Sequence, residues 1–187
     1  MLKNQGFSLL EMIISMLILN LIITGTSMFY KQLHATNMNY YLNTHLEQNI
    51  EQAISGLFKD IKRAGFIANS PSKINQKSIE INDNNNCIII RYDSEIRHDW
   101  INDPQHLNNS DIFSYRYYQN NLEYKTGAMN CHGTNWQKIF DPNDIKVTKF
   151  VIKQNNNTIE MTLAAELKKH HHISHQIFKI IRNENRL

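Results

Sequence analysis

The feature that most constrains this chain is an apolar run from Phe7 to Phe29 that begins directly after the short polar opening Met1-Leu2-Lys3-Asn4-Gln5-Gly6. Fifteen of those 23 residues are apolar, against 62 among the other 164, so the chain divides into an apolar N-terminal segment and a more polar remainder. At about 1.5 Å per residue, 23 helical residues reach roughly 34 Å, enough to cross a hydrocarbon core of about 30 Å with some tilt. A secretory signal peptide has a shorter apolar core and a small-residue cleavage site on its far side. The nearest small cluster here, Thr24-Gly25-Thr26-Ser27, lacks that pattern.

Glu11 is the one charged residue in the run. A carboxylate one helical turn inside an apolar segment costs a few kcal/mol in a bilayer unless it lies near the interface, is protonated or is paired, so it calls for a partner. A plain single-pass anchor meets that demand by keeping Glu11 among the headgroups.

Downstream the periodicity changes. No proline precedes Pro71, and Leu46, Ile50, Ile54, Leu57, Ile61 and Ala64 recur every three or four residues. That spacing predicts one helix over about 7–64, apolar all round in its membrane half and amphipathic in its outer half. Ala64-Gly65-Phe66 predicts its end, with Phe66 folding back onto the apolar stripe and Lys62 and Arg63 at the negative end of the helix dipole.

Past residue 70 the pattern becomes that of strands. Ile79 and Ile81 alternate, Cys87 to Tyr92 is rich in β-branched residues, and Phe113, Tyr115 and Tyr117 answer Leu122 and Tyr124 across a turn at 119–121. A second hairpin turns at 155–157, and a last strand spans 173–181. The expected architecture is α+β: a long N-terminal helix packed on an antiparallel β head of six or seven strands. At 187 residues, one such domain and its anchor account for the whole length.

The remaining patterns exclude more than they suggest. Twenty Lys and Arg stand against 17 Asp and Glu without a basic block, so charge points to no nucleic-acid partner. Asp93 to Asp99 is a poor calcium loop, because Arg97 and His98 occupy positions that want an acceptor and a glycine. Strand alternation puts His170 and His172 on one face and His171 and His175 on the other, which suits a solvated or edge-strand cluster better than a metal site. Tyr115, Tyr117, Tyr118 and Tyr124 read as a cross-strand ladder for a core or an interface. No catalytic constellation, metal site or cofactor motif is expected. The two cysteines, Cys87 and Cys131, are too few for a disulfide scaffold, and their state depends on the compartment.

Gly6-Phe7-Ser8-Leu9-Leu10-Glu11 ahead of a hydrophobic run resembles the processing motif of type IV pilins and type II secretion pseudopilins. The segment Lys62-Arg63-Ala64-Gly65-Phe66 looks like the helix end of minor pilins of the J or W type. The head, through Asn86 to Asp93, Asp99-Trp100, Cys131, Gly133, Trp136 and Asp141-Pro142, resembles the enterobacterial prepilin peptidase-dependent protein B family.

These resemblances imply a leader at 1–6, a transmembrane half-helix at 7–29, a periplasmic half at 30–66 and a pilin-like β head at 67–187. Prepilin peptidase would cut between Gly6 and Phe7 on the cytoplasmic side of the inner membrane, and Phe7 would be N-methylated. A residue without a Cβ allows close approach of an extended backbone to a peptidase. Glu11 would then pair with the Phe7 α-amine of this or a neighbouring subunit and set the filament register.

An oxidising periplasm would join Cys87 to Cys131, the alternative being two unpaired buried thiols. The implied partners are prepilin peptidase, other minor and major pilins or pseudopilins, and inner-membrane lipid. The implied role is assembly of a type IV pilus at or near its tip, with a secretion pseudopilin or a tip module binding DNA or a surface as alternatives.

Overall fold

The computed structural model describes residues 8–67, 77–82, 84–94, 111–183 and 185. Helix α1 runs Leu9–Arg63. The chain falls into two units, Met1–Leu42 and Asn43–Leu187.

In the first unit the described residues are all helix after Ser8, and large apolar side chains point outward on every side. Leu9, Leu21 and Met28 are more than 70% exposed, and even Ile14 is 47% exposed, so no face is reserved for a core within the chain. The segment is long and apolar enough to span a membrane. Its hydroxyls are satisfied internally: Ser15 Oγ donates to Glu11 O at 2.7 Å, Thr24 Oγ1 to Asn20 O at 2.9 Å and Ser27 Oγ to Ile23 O at 2.7 Å. A helix in hydrocarbon needs this, because lipid supplies no partner for a polar group.

In the second unit the same helix presents one stripe. Leu46, Ile50, Ile54, Leu57, Ile61 and Ala64 are fully buried. Among the described residues eight strands form two antiparallel sheets. One, in the order β1 to β5, contains β1 (Ile79–Ile81), β2 (Cys87–Arg91), β3 (Ile112–Tyr118), β4 (Asn121–Thr126) and β5 (Gln137–Lys138). The other contains β6 (Ile145–Asn155), β7 (Thr158–Leu167) and β8 (His170–Arg182). The sheets are joined along β6, where Val147 N donates to Asn120 O at 2.9 Å and Ile152 N to Asn85 O at 2.8 Å.

The tyrosine hairpin has the expected register, Tyr115 opposite Tyr124 and Tyr117 opposite Leu122. Its turn is two residues, Gln119-Asn120, both at positive φ, which matches the twist of the flanking strands. Strand β7 alternates strictly, burying Ile159, Met161, Leu163, Ala165 and Leu167 on one face as the sequence predicts.

The structure differs from expectation in three places. Eight strands are described where six or seven are expected, because β5 is an additional two-residue strand held only by β4. Strand β8 starts at His170 and includes the histidine run. Phe66 does not fold onto the helix stripe; it is 48% exposed. The backbone anchors the helix end instead: Gly65 N donates to Arg91 O, and Phe66 O accepts from Asp93 N, both at 2.8 Å. The side chains of Asn183 and Asn185 donate to the carbonyls of Ala64 and Lys62, which the helix leaves unpaired at its end. Gly65 has φ +80°, and a Cβ there would lie 3.1 Å from Asn185 O, so conformation and space both require glycine.

Candidate functional site

The first candidate region is the start of the helix. Gly6 and Phe7 lie outside the described residues. Ser8 is the residue before the first helical position, and Glu11 is the third helical residue. The Glu11 carboxylate accepts the Ser8 backbone N–H at 2.9 Å. This is one half of a capping box, and it satisfies an amide that the helix leaves without a partner. The Ser-x-x-Glu spacing made this cap legible, but the sequence reading considered Glu11 only as a charge. In the isolated chain the carboxylate already has a local role, at the end of an apolar helix that nothing in its own unit covers.

The second region fixes the helix to the head. Asp60 lies within the apolar stripe, one turn from Leu57 and Ala64, and is buried. It accepts Tyr115 Oη at 2.6 Å and Tyr92 Oη at 2.9 Å, so strand β3 and the residue that follows β2 converge on one helical carboxylate. Burial raises the Asp60 carboxyl above the ordinary carboxylate range, against the hydrogen bonds from Tyr115 and Tyr92 and the charges of Arg63 and Lys59. Burial, followed by the Asp60 charge, also pushes the Tyr92 and Tyr115 hydroxyls well up, and Tyr124 to about 12. The tyrosines therefore remain protonated donors. Tyr92 stacks on Phe113 at 4.5 Å between ring centroids, and the Arg63 guanidinium lies 5.9 Å from the Tyr92 ring.

The third region is on the far side of β2 and β3. Cys87 and Cys131 form a disulfide with a Cα separation of 6.2 Å, tying the start of β2 to the loop after β4. Arg116, opposite Cys87 in the ladder, holds the same loop by donating to Cys131 O at 2.9 Å and Gly133 O at 3.3 Å. Its other nitrogens pair with the nearly buried Glu123 at 2.8 and 2.9 Å. The planar guanidinium also lies against Trp136 at 4.2 Å and Tyr118 at 4.6 Å. The sequence reading missed this clamp, although the hairpin register that pairs Arg116 with Glu123 follows from the turn at Gln119-Asn120.

Other sequence candidates resolve less into sites. In the weak calcium loop only Asp93 and Ser94 are described; 95–99 lie outside, as does Trp100. His170 and His172 do share a face, their rings 5.9 Å apart, while His171 Nδ1 lies 3.3 Å from the Glu166 carboxylate. Lys146, and to a lesser degree His171, holds that carboxylate below its ordinary value. Tyr115 is core and Tyr118 is exposed.

A long apolar N-terminal helix whose later turns pack into an antiparallel β head defines a pilin-like protein. Sequence comparison makes the assignment specific. Residues 39–183 match the family model of prepilin peptidase-dependent protein B, and residues 1–27 match the prokaryotic N-terminal methylation motif. The chain belongs to the prepilin peptidase-dependent protein B family. It is 27% identical over 167 residues to prepilin peptidase-dependent protein B of Escherichia coli (strain K12), covering 89% of this chain and 87% of that protein. No solved structure matches.

Proposed function

We propose that this chain is a minor pilin that is cut between Gly6 and Phe7, N-methylated at Phe7, and extracted from the inner membrane into a type IV pilus. There it helps start assembly at or near the tip. The observation that carries this reading is the uncovered apolar surface of α1 from Leu9 onward, preceded by the methylation motif. Such a surface needs lipid before assembly and neighbouring helices afterwards. The head stands in the periplasm on this reading, an oxidising compartment consistent with the Cys87–Cys131 bond.

Glu11 has two successive partners in this scheme. In the uncut chain its carboxylate caps Ser8; after cleavage the new Phe7 α-ammonium, on this or an adjacent subunit, offers a stronger charge-assisted one. Capping and docking are separable, because glutamine also completes a capping box but carries no charge. In a reconstituted pilus system, Glu11→Gln and Glu11→Ala should both be processed and both fail to enter the filament. If Glu11→Gln enters normally and Glu11→Ala does not, the carboxylate acts as a cap and the docking role is wrong.

A further inference from the structure

One polar side chain stands deep in the apolar stretch without a partner. Asn20 is two residues from the middle of the apolar run 7–29, and its side chain is exposed on α1. Its backbone carbonyl accepts the Thr24 hydroxyl at 2.9 Å, but its carboxamide makes no hydrogen bond among the described residues.

The helix cannot satisfy this group alone. A carboxamide brings two N–H donors and an acceptor oxygen. Bonding back one turn, as Asn49 does by donating to His45 O at 2.7 Å, serves only an N–H. Oδ1 needs a donor, and the interior amides of a helix are all taken by the i→i−4 ladder. One turn away stand Met16, Leu17 and Ile23, which have no side-chain donor, and Thr24, whose hydroxyl already donates to Asn20 O and Leu21 O at 2.9 and 3.0 Å. A bilayer offers no water at that depth, so the donor must come from another chain.

Depth and symmetry select a second copy of this chain. Copies that cross in the same orientation carry Asn20 at the same depth, and a carboxamide is donor and acceptor at once. Two facing Asn20 side chains therefore each donate Nδ2 to the other's Oδ1 about a two-fold axis along the membrane normal. At about 100° per residue, Ile13, Met16, Thr24 and Ser27 fall within about 40° of Asn20 around the helix. Thr24 and Ser27 are small, and their hydroxyls are taken up by carbonyls of their own helix, so two backbones can approach closely there. By the same measure Glu11 falls about 180° from Asn20, which keeps the two carboxylates apart and leaves each free to pair with a Phe7 amine.

We propose that α1 forms a parallel homodimer within the membrane through its Asn20 face, closed by reciprocal carboxamide hydrogen bonds. The dimer rests on the reading of α1 as membrane-spanning and requires neither cleavage nor filament entry.

The test is sedimentation equilibrium of the full chain, disulfide intact, in density-matched micelles of a non-ionic detergent. The wild-type chain should show a monomer–dimer equilibrium. Asn20→Leu keeps the bulk and removes the carboxamide, and should weaken dimerisation at least about tenfold, a loss of about 1.4 kcal/mol. Ser15→Leu, about 140° away on the helix, should leave the equilibrium unchanged. Flotation of the wild-type chain with phosphatidylcholine vesicles after an alkaline carbonate wash tests the membrane reading separately. A chain that floats but stays monomeric, a dimer undiminished by Asn20→Leu, or an equal loss in Ser15→Leu overturns the dimer alone. A chain that does not float overturns both.

Discussion

Two stretches of one helix obey different rules. From Leu9 to Phe29 the helix is apolar nearly all round and its hydroxyls turn inward to its own carbonyls; from Asn43 to Arg63 it keeps one buried stripe and gives its remaining faces to water. The difference teaches where each stretch gets its stability. The first is stabilised by an environment outside the chain, and the second by the β head, so substitutions in the two should separate assembly from folding.

The sharpest way to break this contrast is a matched pair of truncations. Ile54 is fully buried, and Ile54→Ala should destabilise the head by about 2 to 5 kcal/mol, measured as a shift in urea midpoint of the full chain in detergent. Ile18 is 53% exposed, and Ile18→Ala should leave that midpoint in place while lowering filament incorporation. Equal midpoint losses would mean that the N-terminal stretch is part of the folding core.

Within the head, the Cys87–Cys131 bond closes a separation of 44 residues. Its reduction should cost about 3 to 4 kcal/mol by loop entropy. Urea titration with and without reductant checks this, and the membrane helix should show no change in far-ultraviolet dichroism. At the junction of helix and head, Gly65→Ala meets positive φ and the Asn185 carbonyl together, and should cost about 1 to 3 kcal/mol in the same titration.

The smallest effect is a pH slope. The folded Asp60 carboxyl is raised above its ordinary 3.8, so the folded state holds a proton more tightly than the unfolded one. Its contribution therefore falls as pH rises from about 3.8 through the raised value, and levels off above it. Asp60→Asn should flatten the stability profile in that window; an unchanged slope would assign the pH dependence to other groups.

Much of this contrast was legible in the residues. The all-round apolar run, the 46-50-54-57-61 stripe and the strict alternation of β7 each depend on local periodicity, and each appears where its period places it. Features that depend on distant partners were not legible. Phe66 is exposed because Gly65 and Asp93 secure the helix end through the backbone, where no side-chain pattern records it. Strand β5 has two residues and no alternation of its own, so it exists only because β4 offers it an edge.

Asp60 was partly legible, as a carboxylate in an apolar stripe that needs a donor, but its tyrosines lie 32 and 55 residues away. The candidate site divides in the same way. The methylation motif and Glu11 can be read directly, whereas the Arg116 clamp depends on the completed sheet.

The central claim, that the apolar stretch is a processed pilin anchor, is tested most directly by the intact mass of the chain made in cells containing prepilin peptidase. The expected mass is that of a chain beginning at Phe7 with one added methyl group, and Gly6→Leu should abolish the change and leave the precursor. A wild-type chain that keeps residues 1–6 in the presence of active peptidase would contradict it.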